Sequence, residues 1–176
     1  MNFELTLRDF HTTGGHSLLQ LSMEKPQLVV FLRHSGCTFC RQALADLARH
    51  QHEFRQLGVE LVLVHQGDPD LAAKWFTEYG LGDASQISDP QTKLYQAFEL
   101  KKASVFDMLK PSVWWNGLRA AIFQGHWFGK IVGDVFQMPG VFLLDRGKVV
   151  RAFRHKLASD RPNYVELACP INVGKS

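Results

Sequence analysis

The chain has little that would place it in a membrane or among secreted, disulfide-stabilised proteins. Its 176 residues include three cysteines, an odd number and too few for a disulfide scaffold. The longest uncharged apolar run falls far short of the roughly 20 residues that cross a bilayer. The first residues, MNFELTLRDF, lack the basic start and apolar stretch of a signal peptide. We therefore expect a cytoplasmic protein with no membrane partner.

An excess of charge of one sign is also missing. Lys and Arg number 20 against 17 Asp and Glu, which gives a formal net charge of +3. The basic residues form no cluster of the kind that nucleic-acid binding needs, so no nucleic-acid partner is expected. Repeats, low-complexity tracts and linkers are missing too, and the length suits one domain. We expect residues 1–176 to form a single domain.

Strand and helix patterns alternate along the chain. Strands are predicted at 3–7, 17–21, 27–33, 59–64, 86–88, 141–145 and 148–153. Helices are predicted at 38–57, 68–79, 91–98 and 162–168. The first two strands would form an N-terminal β-hairpin extension. The rest predict an α/β fold, a central mixed sheet with helices on both faces. In that sheet 27–33 and 59–64 are parallel neighbours, and 141–145 pairs antiparallel with 148–153.

The segment 100–138 departs from this alternation. Pro111 can open a helix, and Trp114, Leu118 and Ile122 recur along one side of it. We interpret the segment as a helical insertion that packs on the sheet or over the active site. Its aromatic side chains would then belong to the core or form the wall of an apolar substrate pocket.

The sequence VVFLRHSGCTFCRQAL carries the chemistry. An apolar strand ends, a turn containing glycine follows, and Cys37 and Cys40 lie in the first turn of an amphipathic helix. The partial positive charge and free N–H groups of a helix N-terminus stabilise a thiolate, the reactive form of cysteine. We expect Cys37, at the exposed mouth of the turn, to be the nucleophile. Cys40, on the buried side of the helix, would be the resolving thiol.

Polar residues around the two cysteines are candidates for supporting roles. Arg33 and His34 precede the motif, and a positive charge there would lower the thiol pKa further. Thr38 lies between the cysteines. Farther along the chain, Pro139 stands just before a predicted strand, where a proline is tolerated if no ladder donor is needed. A cis bond between Met138 and Pro139 is one way to make that approach.

These features resemble the thioredoxin fold, and most closely the peroxiredoxin-like group of the AhpC/TSA family. FLRHSGCTFC is similar to the two-cysteine motif of that group, and SDPQTKLYQAF resembles a D-P-x-x-x-x-Y-x-x-F segment of peroxiredoxins. FELTLRDFHTTGGHSLLQL, GVFLLDRGKVV and the late SDRPNY resemble further parts of such proteins. The resemblance implies that Met138–Pro139 is cis and lies against the cysteines.

The resemblance also implies a function. Cys37 and Cys40 would cycle between dithiol and disulfide and reduce hydroperoxides or disulfides, without a bound cofactor. An external thiol reductant of the thioredoxin or glutathione type would restore the dithiol. Typical peroxiredoxins have Pro and Thr or Ser seven and three residues before the reactive cysteine, where this chain has Val30 and His34. They also carry an arginine where it has Pro139, so peroxide and disulfide substrates both stay open.

Two other classes of function remain open. A metal-binding module could use Cys37 and Cys40 with His34, although zinc usually needs a second pair of ligands and the sequence offers none, so we assign no metal site. A redox-inactive protein could use the aromatic segment to bind a ligand or partner. Cys169 could resolve an oxidised cysteine across a homodimer. Because Cys40 already suits that role, we expect Cys169 to be an incidental thiol.

Overall fold

The computed structural model describes residues 2–33, 37–102, 134, 136–157 and 160–169. Five strands in this part of the chain form one sheet. The strands are β1 Gln27–Phe31, β2 Glu60–His65, β3 Ser85–Ser88, β4 Gly140–Asp145 and β5 Lys148–Arg154. The helices are α1 Phe3–Asp9, α2 Leu18–Glu24, α3 Thr38–Arg49, α4 Gln51–Gln56, α5 Pro69–Glu78, α6 Lys93–Ala97 and α7 Tyr164–Ala168. No helix within those ranges is long and apolar enough to cross a membrane.

The sheet is mixed, with strand order β3-β2-β1-β4-β5. β1 and β2 pair in parallel, as do β2 and β3, whereas β4 runs antiparallel to both β1 and β5. Both predicted strand pairs are therefore confirmed. β1 lies in the middle of the sheet and all five of its residues are buried. Its carboxyl end, where the cysteine motif follows, is thus held between two neighbouring strands.

The side chains of β1 pack alternately on the two faces of the sheet, so the core has two halves. Leu28 and Val30 pack with the cysteines on one face of the sheet. Val29 and Phe31 pack on the other face. This alternation is the period of a strand covered on both sides. Each fully buried side chain of this size contributes about 1.5–3 kcal/mol to stability. The predicted cover of helices on both faces is confirmed.

The predicted N-terminal hairpin is wrong, because 3–7 and 17–21 are helical. The side chain of Asn2 caps the N-terminus of α1. At the start of α2, Ser17 and Gln20 form a capping box, in which each side chain binds the backbone of the other. In a run of five residues, apolar positions fit a strand and a helix almost equally well. The capping side chains of Asn2 and Ser17 favour the helix in both runs.

Tertiary packing then holds both helices against the sheet. Leu7 of α1 and Leu18 of α2 are fully buried in the same half of the core as Val29. One antiparallel bridge, between His11 and Ser17, is all that remains of the expected hairpin. The N-terminal segment therefore covers the face of the sheet opposite the cysteines.

The predicted helix 38–57 is divided into two. α3 ends at Arg49 and α4 begins at Gln51, with His50 between them at φ −99° and ψ 9°. Gly58, at φ 68°, ends α4 as the sequence predicted. The other helices lie within a few residues of their predicted bounds.

The helical insertion predicted within 100–138 falls on residues 103–133, which lie outside the described residues. The two ends of this segment meet beside the sheet. Lys102 forms an isolated bridge with Gln137, and its Nζ lies 2.6 Å from a carboxylate oxygen of Asp134. The described residues on either side of this segment therefore lie together, next to the start of β4.

Gly140, the first residue of β4, allows a close approach that a larger residue would prevent. A Cβ there would lie 2.6 Å from Leu100 Cδ2 and 2.8 Å from Phe142 Cε2. We expect Gly140→Ala to lower the free energy of unfolding by about 1–3 kcal/mol through overpacking. Gly14→Ala is the matched control, because its Cβ would meet nothing closer than 3.7 Å. Urea denaturation of both variants tests this expectation, and equal midpoints would contradict it.

Candidate active site

The two cysteines lie at the start of α3, immediately beyond the carboxyl end of β1. Cys37 is the N-cap of the helix and Cys40 lies in its first turn. Both are free thiols. Cys37 is only 5% exposed and Cys40 3%. The expectation of an exposed Cys37 is wrong, because its side chain packs in the core cluster that contains Val30 and Leu32.

The surroundings of Cys37 stabilise its thiolate. The largest contribution is a hydrogen bond from the Cys40 thiol, followed by the positive charge of Arg33 and by the backbone N–H groups of Cys40 and Phe39. Burial opposes them, but together they lower the pKa of Cys37 to about 6. The predicted direction of this shift is confirmed. These surroundings therefore favour the ionised, nucleophilic form of Cys37.

The sulfur of Cys40 faces two kinds of neighbour. On one side Sγ accepts a hydrogen bond from the backbone N–H of Arg33, at 3.3 Å. On another side Cys40 lines a cavity of about 20 Å³ together with Phe39 and Pro139. A space of this volume holds about one water molecule. Cys40 therefore contacts both the Arg33 backbone and a small cavity.

Arg33 is a buried cation near Cys37, 6% exposed. Its Nε donates to the carbonyl of Gln137 at 3.1 Å. Its own carbonyl accepts from Nε2 of Gln66 at 2.9 Å, and Oε1 of Gln66 accepts from the N–H of Asp134 at 2.7 Å. The backbone just before the cysteines is thereby tied to β2 and to the approach to β4. The sequence prediction missed Gln66, whose position directly after a buried parallel strand was the available signal.

Tyr95 holds the end of β1 from the opposite face of the sheet. Its hydroxyl lies 2.6 Å from the carbonyl oxygen of Leu32 and 3.2 Å from that of Val64. Tyr95 is fully buried, and burial raises its pKa well above the ordinary value, so the hydroxyl stays a donor. Asp89 supports it by accepting three backbone N–H bonds at the start of α6. The conspicuous residues of SDPQTKLYQAF thus position the strand that leads to the cysteines.

A polar network closes the outer side of the cavity. The guanidinium of Arg161 donates to Oδ2 of Asp46 from Nε at 3.1 Å and from Nη2 at 2.5 Å. Asp46 lies on α3 and is only 7% exposed. Tyr164 and His155 complete this side of the cavity lining. The sequence prediction missed the roles of Asp46 and His155, since their partners are far away along the chain.

The loop before β4 lies against the cysteine motif, but its peptide bond differs from the expectation. No peptide bond within the described ranges is cis, so the predicted cis Met138–Pro139 bond is wrong. Met138 donates its N–H to the carbonyl of Lys101, and the Pro139 carbonyl accepts from the N–H of His155. Both groups are satisfied with the trans bond, which X–Pro peptides prefer by about 0.5–1 kcal/mol. Pro139 still lines the cavity with Cys40, as expected of that loop.

The structure gives less support to functional roles for His34, Thr38 and Cys169. His34 lies outside the described residues. Thr38 is buried in the first turn of α3, and its supporting role stays a prediction. Cys169 is half-buried after α7, where its carbonyl accepts a hydrogen bond from Arg151. Within the described parts of the chain, no group of three or more His, Cys, Asp or Glu side chains could hold a metal ion.

Comparison with known proteins gives a family match and a set of relatives. The sequence profile of the AhpC/TSA antioxidant enzymes matches residues 46–157, a stretch that begins after both cysteines. Rat peroxiredoxin-like 2A is 29% identical over 142 residues, which is 80% of this chain and 60% of that protein. Zebrafish prostamide/prostaglandin F synthase is 24% identical over 170 residues, 93% of this chain and 83% of that protein. The chain thus spans about 60% of the peroxiredoxin-like 2A relatives.

Solved structures confirm the fold. Peroxiredoxin Q of Xanthomonas campestris is similar with a TM-score of 0.57 and 18% identity, covering 82% of this chain and 78% of that one. Reduced Prx3 of Vibrio vulnificus, in complex with hydrogen peroxide, is similar with a TM-score of 0.62 and 14% identity. That match covers 88% of this chain and 86% of the other. The expected thioredoxin-like architecture is therefore present.

The hydrogen bond from Cys40 gives a direct prediction about the Cys37 thiolate. In the wild-type protein we expect its ionisation midpoint near pH 6, against about 8.5 for an ordinary cysteine. Cys40→Ala removes the largest stabilising contact and should raise the midpoint by at least about one unit. Cys40→Ser, the matched control, keeps a hydroxyl donor and should shift it less. Thiolate ultraviolet absorbance and iodoacetamide labelling across pH measure the midpoint.

A wild-type midpoint near 8.5 would contradict the assignment of Cys37 as the stabilised thiolate. An unchanged midpoint in Cys40→Ala would show that the Cys40 thiol is not its main donor. Mass-spectrometric mapping of the labelled peptide separates Cys37 from Cys169 in each case.

Proposed function

The chain belongs to the AhpC/TSA antioxidant-enzyme family, and from this premise we propose that it is a thiol peroxidase acting on small hydroperoxides. Cys37 is the nucleophile and Cys40 the resolving thiol. The observation that carries the proposal is the position of Cys37 at the N-cap of α3, where the Cys40 thiol, Arg33 and the first N–H groups of the helix favour its thiolate. A thiolate at neutral pH is the species that attacks peroxides.

The reaction proceeds in two steps on the enzyme. In the first, Cys37 sulfur attacks the terminal oxygen of the hydroperoxide, the O–O bond breaks, and the alkoxide leaves with a proton as an alcohol. Cys37 is thereby oxidised to a sulfenic acid. In the second step Cys40 attacks this sulfur, a disulfide forms, and the hydroxyl leaves as water. Two equivalents of an external thiol then return the disulfide to the dithiol.

Burial of both cysteines favours a small substrate over a protein disulfide. Cys37 is 5% exposed and Cys40 3%, so neither sulfur is presented to the surface of another folded protein. A cis Met138–Pro139 bond would have favoured disulfide recognition by the thioredoxin mechanism, but the bond is trans. A hydroperoxide group is small enough to reach a buried thiolate through a modest local opening.

Arg33 is the best-supported candidate for an auxiliary role. Its positive charge already lowers the Cys37 pKa, and in the reaction the same charge would stabilise the negative charge that develops on the departing oxygen. The contact with Gln137 and the tie through Gln66 hold the Arg33 backbone and side chain in place. We propose that Thr38 and His34 have supporting roles in the reaction, and that Met138 and Pro139 pack against the motif.

We also propose a reductant, a compartment and an oligomeric state for this cycle. The reductant is a thiol system of the thioredoxin or glutathione type. The compartment is the cytoplasm, where such systems keep thiols reduced. The resemblance to peroxiredoxins suggests a homodimer, and Cys169 is not needed for the cycle because Cys40 resolves Cys37 within one chain.

A substrate panel tests the proposal. Hydrogen peroxide, an organic hydroperoxide and insulin disulfide are supplied to the wild-type protein with one common thiol reductant. We expect turnover of at least one hydroperoxide and little reduction of insulin, because the thiols are buried. Cys37→Ser should reduce turnover to background, whereas Cys169→Ser, the matched control for loss of a thiol, should keep it.

Two results would contradict the proposal. Reduction of insulin without consumption of any hydroperoxide would make the protein a disulfide reductase. Full peroxidase activity in Cys37→Ser would move the nucleophile to another cysteine.

A further inference from the structure

The cavity beside Cys40 has a polar side that the peroxidase cycle, as described so far, does not use. It lies between α3, the start of β4, His155 and residues 160–164, with a volume of about 20 Å³. Its apolar wall includes Phe39 and Val141, and its polar wall includes His155 and Tyr164. The space suits one small molecule.

Tyr164 forms part of the polar side of the cavity. The residue is 6% exposed and lines the space beside Cys40. A buried hydroxyl beside a space of this size is normally satisfied by protein or by an ordered water. Burial is the main cause of a raised pKa at Tyr164, with smaller contributions from the charges of Asp46 and Cys40. The hydroxyl therefore keeps its proton at neutral pH.

His155, which also lines the cavity, contributes a buried ring nitrogen. Its Nδ1 is buried and has no hydrogen-bond partner within the described part of the chain. Burial is the main cause of a lowered pKa, against the raising effects of Asp160 and of the nearby Pro139 and Asp160 backbone. The ring is therefore neutral at neutral pH, with one nitrogen free to accept. Its edge-on contact with Phe153, at 5.0 Å between ring centres, fixes the orientation of the ring.

We propose that the cavity beside Cys40 binds one hydroxylic molecule, a water in the resting enzyme, held by Tyr164 and His155, and that this molecule accepts the Cys40 proton during disulfide formation. The inference rests on the proposed function, because it concerns the second step of that cycle. It assigns a role to a tyrosine in the late SDRPNY segment, for which the sequence offered none.

The need for an acceptor follows from the burial of Cys40. The attacking form of a thiol is the thiolate, and Cys40 is only 3% exposed, so bulk water does not reach it directly. In the reduced enzyme its proton is directed to the Cys37 thiolate. Once Cys37 is a sulfenic acid that acceptor is gone, and the cavity is the other space that Cys40 contacts.

The step balances without a further reactant. The Cys40 S–H bond breaks and its proton passes to the cavity molecule, which relays a proton onward to solvent. The new S–S bond forms as the Cys37 S–O bond breaks. The departing hydroxide takes up one proton and leaves as water. The sum is a sulfenic acid and a thiol giving one disulfide and one water.

The test separates the two chemical steps in a single turnover. The reduced enzyme is mixed with one equivalent of hydroperoxide, and samples are quenched with dimedone, which labels the sulfenic acid, and with an alkylating agent, which labels free thiols. We expect Tyr164→Phe to form the sulfenic acid at the wild-type rate but to form the disulfide slower, by on the order of 10²-fold. Tyr79→Phe is the matched control, since Tyr79 lies at the end of α5 and does not line the cavity.

A second pair of variants guards against a folding defect. His155→Asn keeps an acceptor near the position of Nδ1 and should keep most of the rate of disulfide formation, whereas His155→Leu should lose it. If Tyr164→Phe forms the disulfide at the wild-type rate, or if both steps slow equally together with a lower melting temperature, the inference is wrong. If the wild-type protein forms no sulfenic acid at all, the proposed function itself fails.

Discussion

A buried thiol whose surroundings favour its ionised form is the constraint on which the rest of the site depends. A charge in such a place is costly unless donors and opposite charge surround it. Cys37 meets that requirement through the Cys40 thiol, the Arg33 charge and the first N–H groups of α3. Because Arg33 is itself a buried cation, it needs a partner in turn, and it donates to the carbonyl of Gln137. The groups that favour a negative charge on Cys37, and the carbonyl that pairs with Arg33, thus come from several parts of the fold.

The sheet supplies the rigid frame that this charge requires. Parallel pairing brings the carboxyl ends of β1 and β2 to one edge, so that Gln66, just beyond β2, reaches the Arg33 carbonyl. Tyr95 secures the Leu32 carbonyl from the far side of the sheet. Antiparallel pairing with β4 delivers Pro139 to the Cys40 cavity. The mixed sheet thus brings residues that are distant in sequence to the start of one helix.

Local patterns predicted the place of the two cysteines better than their surroundings. An apolar run before Cys37 and helical spacing after it were enough to place both cysteines at a helix N-terminus, since both signals are close to the motif in sequence. The run 3–7 was misread because five residues do not separate a strand from a capped helix. The burial of Cys37 and the contact of Asp46 with Arg161, 115 residues away in the chain, depend on tertiary packing. No local spacing encodes them.

The disulfide that forms after one equivalent of hydroperoxide is added gives the most direct test of the roles of the two cysteines. Non-reducing peptide mapping of the wild-type protein should show a disulfide between Cys37 and Cys40, with Cys169 still alkylated as a free thiol. In Cys40→Ser the same treatment should leave Cys37 as a sulfenic acid that dimedone labels. A disulfide that includes Cys169, or oxidation of Cys40 while Cys37 stays a free thiol, would contradict the assignment of the two cysteines.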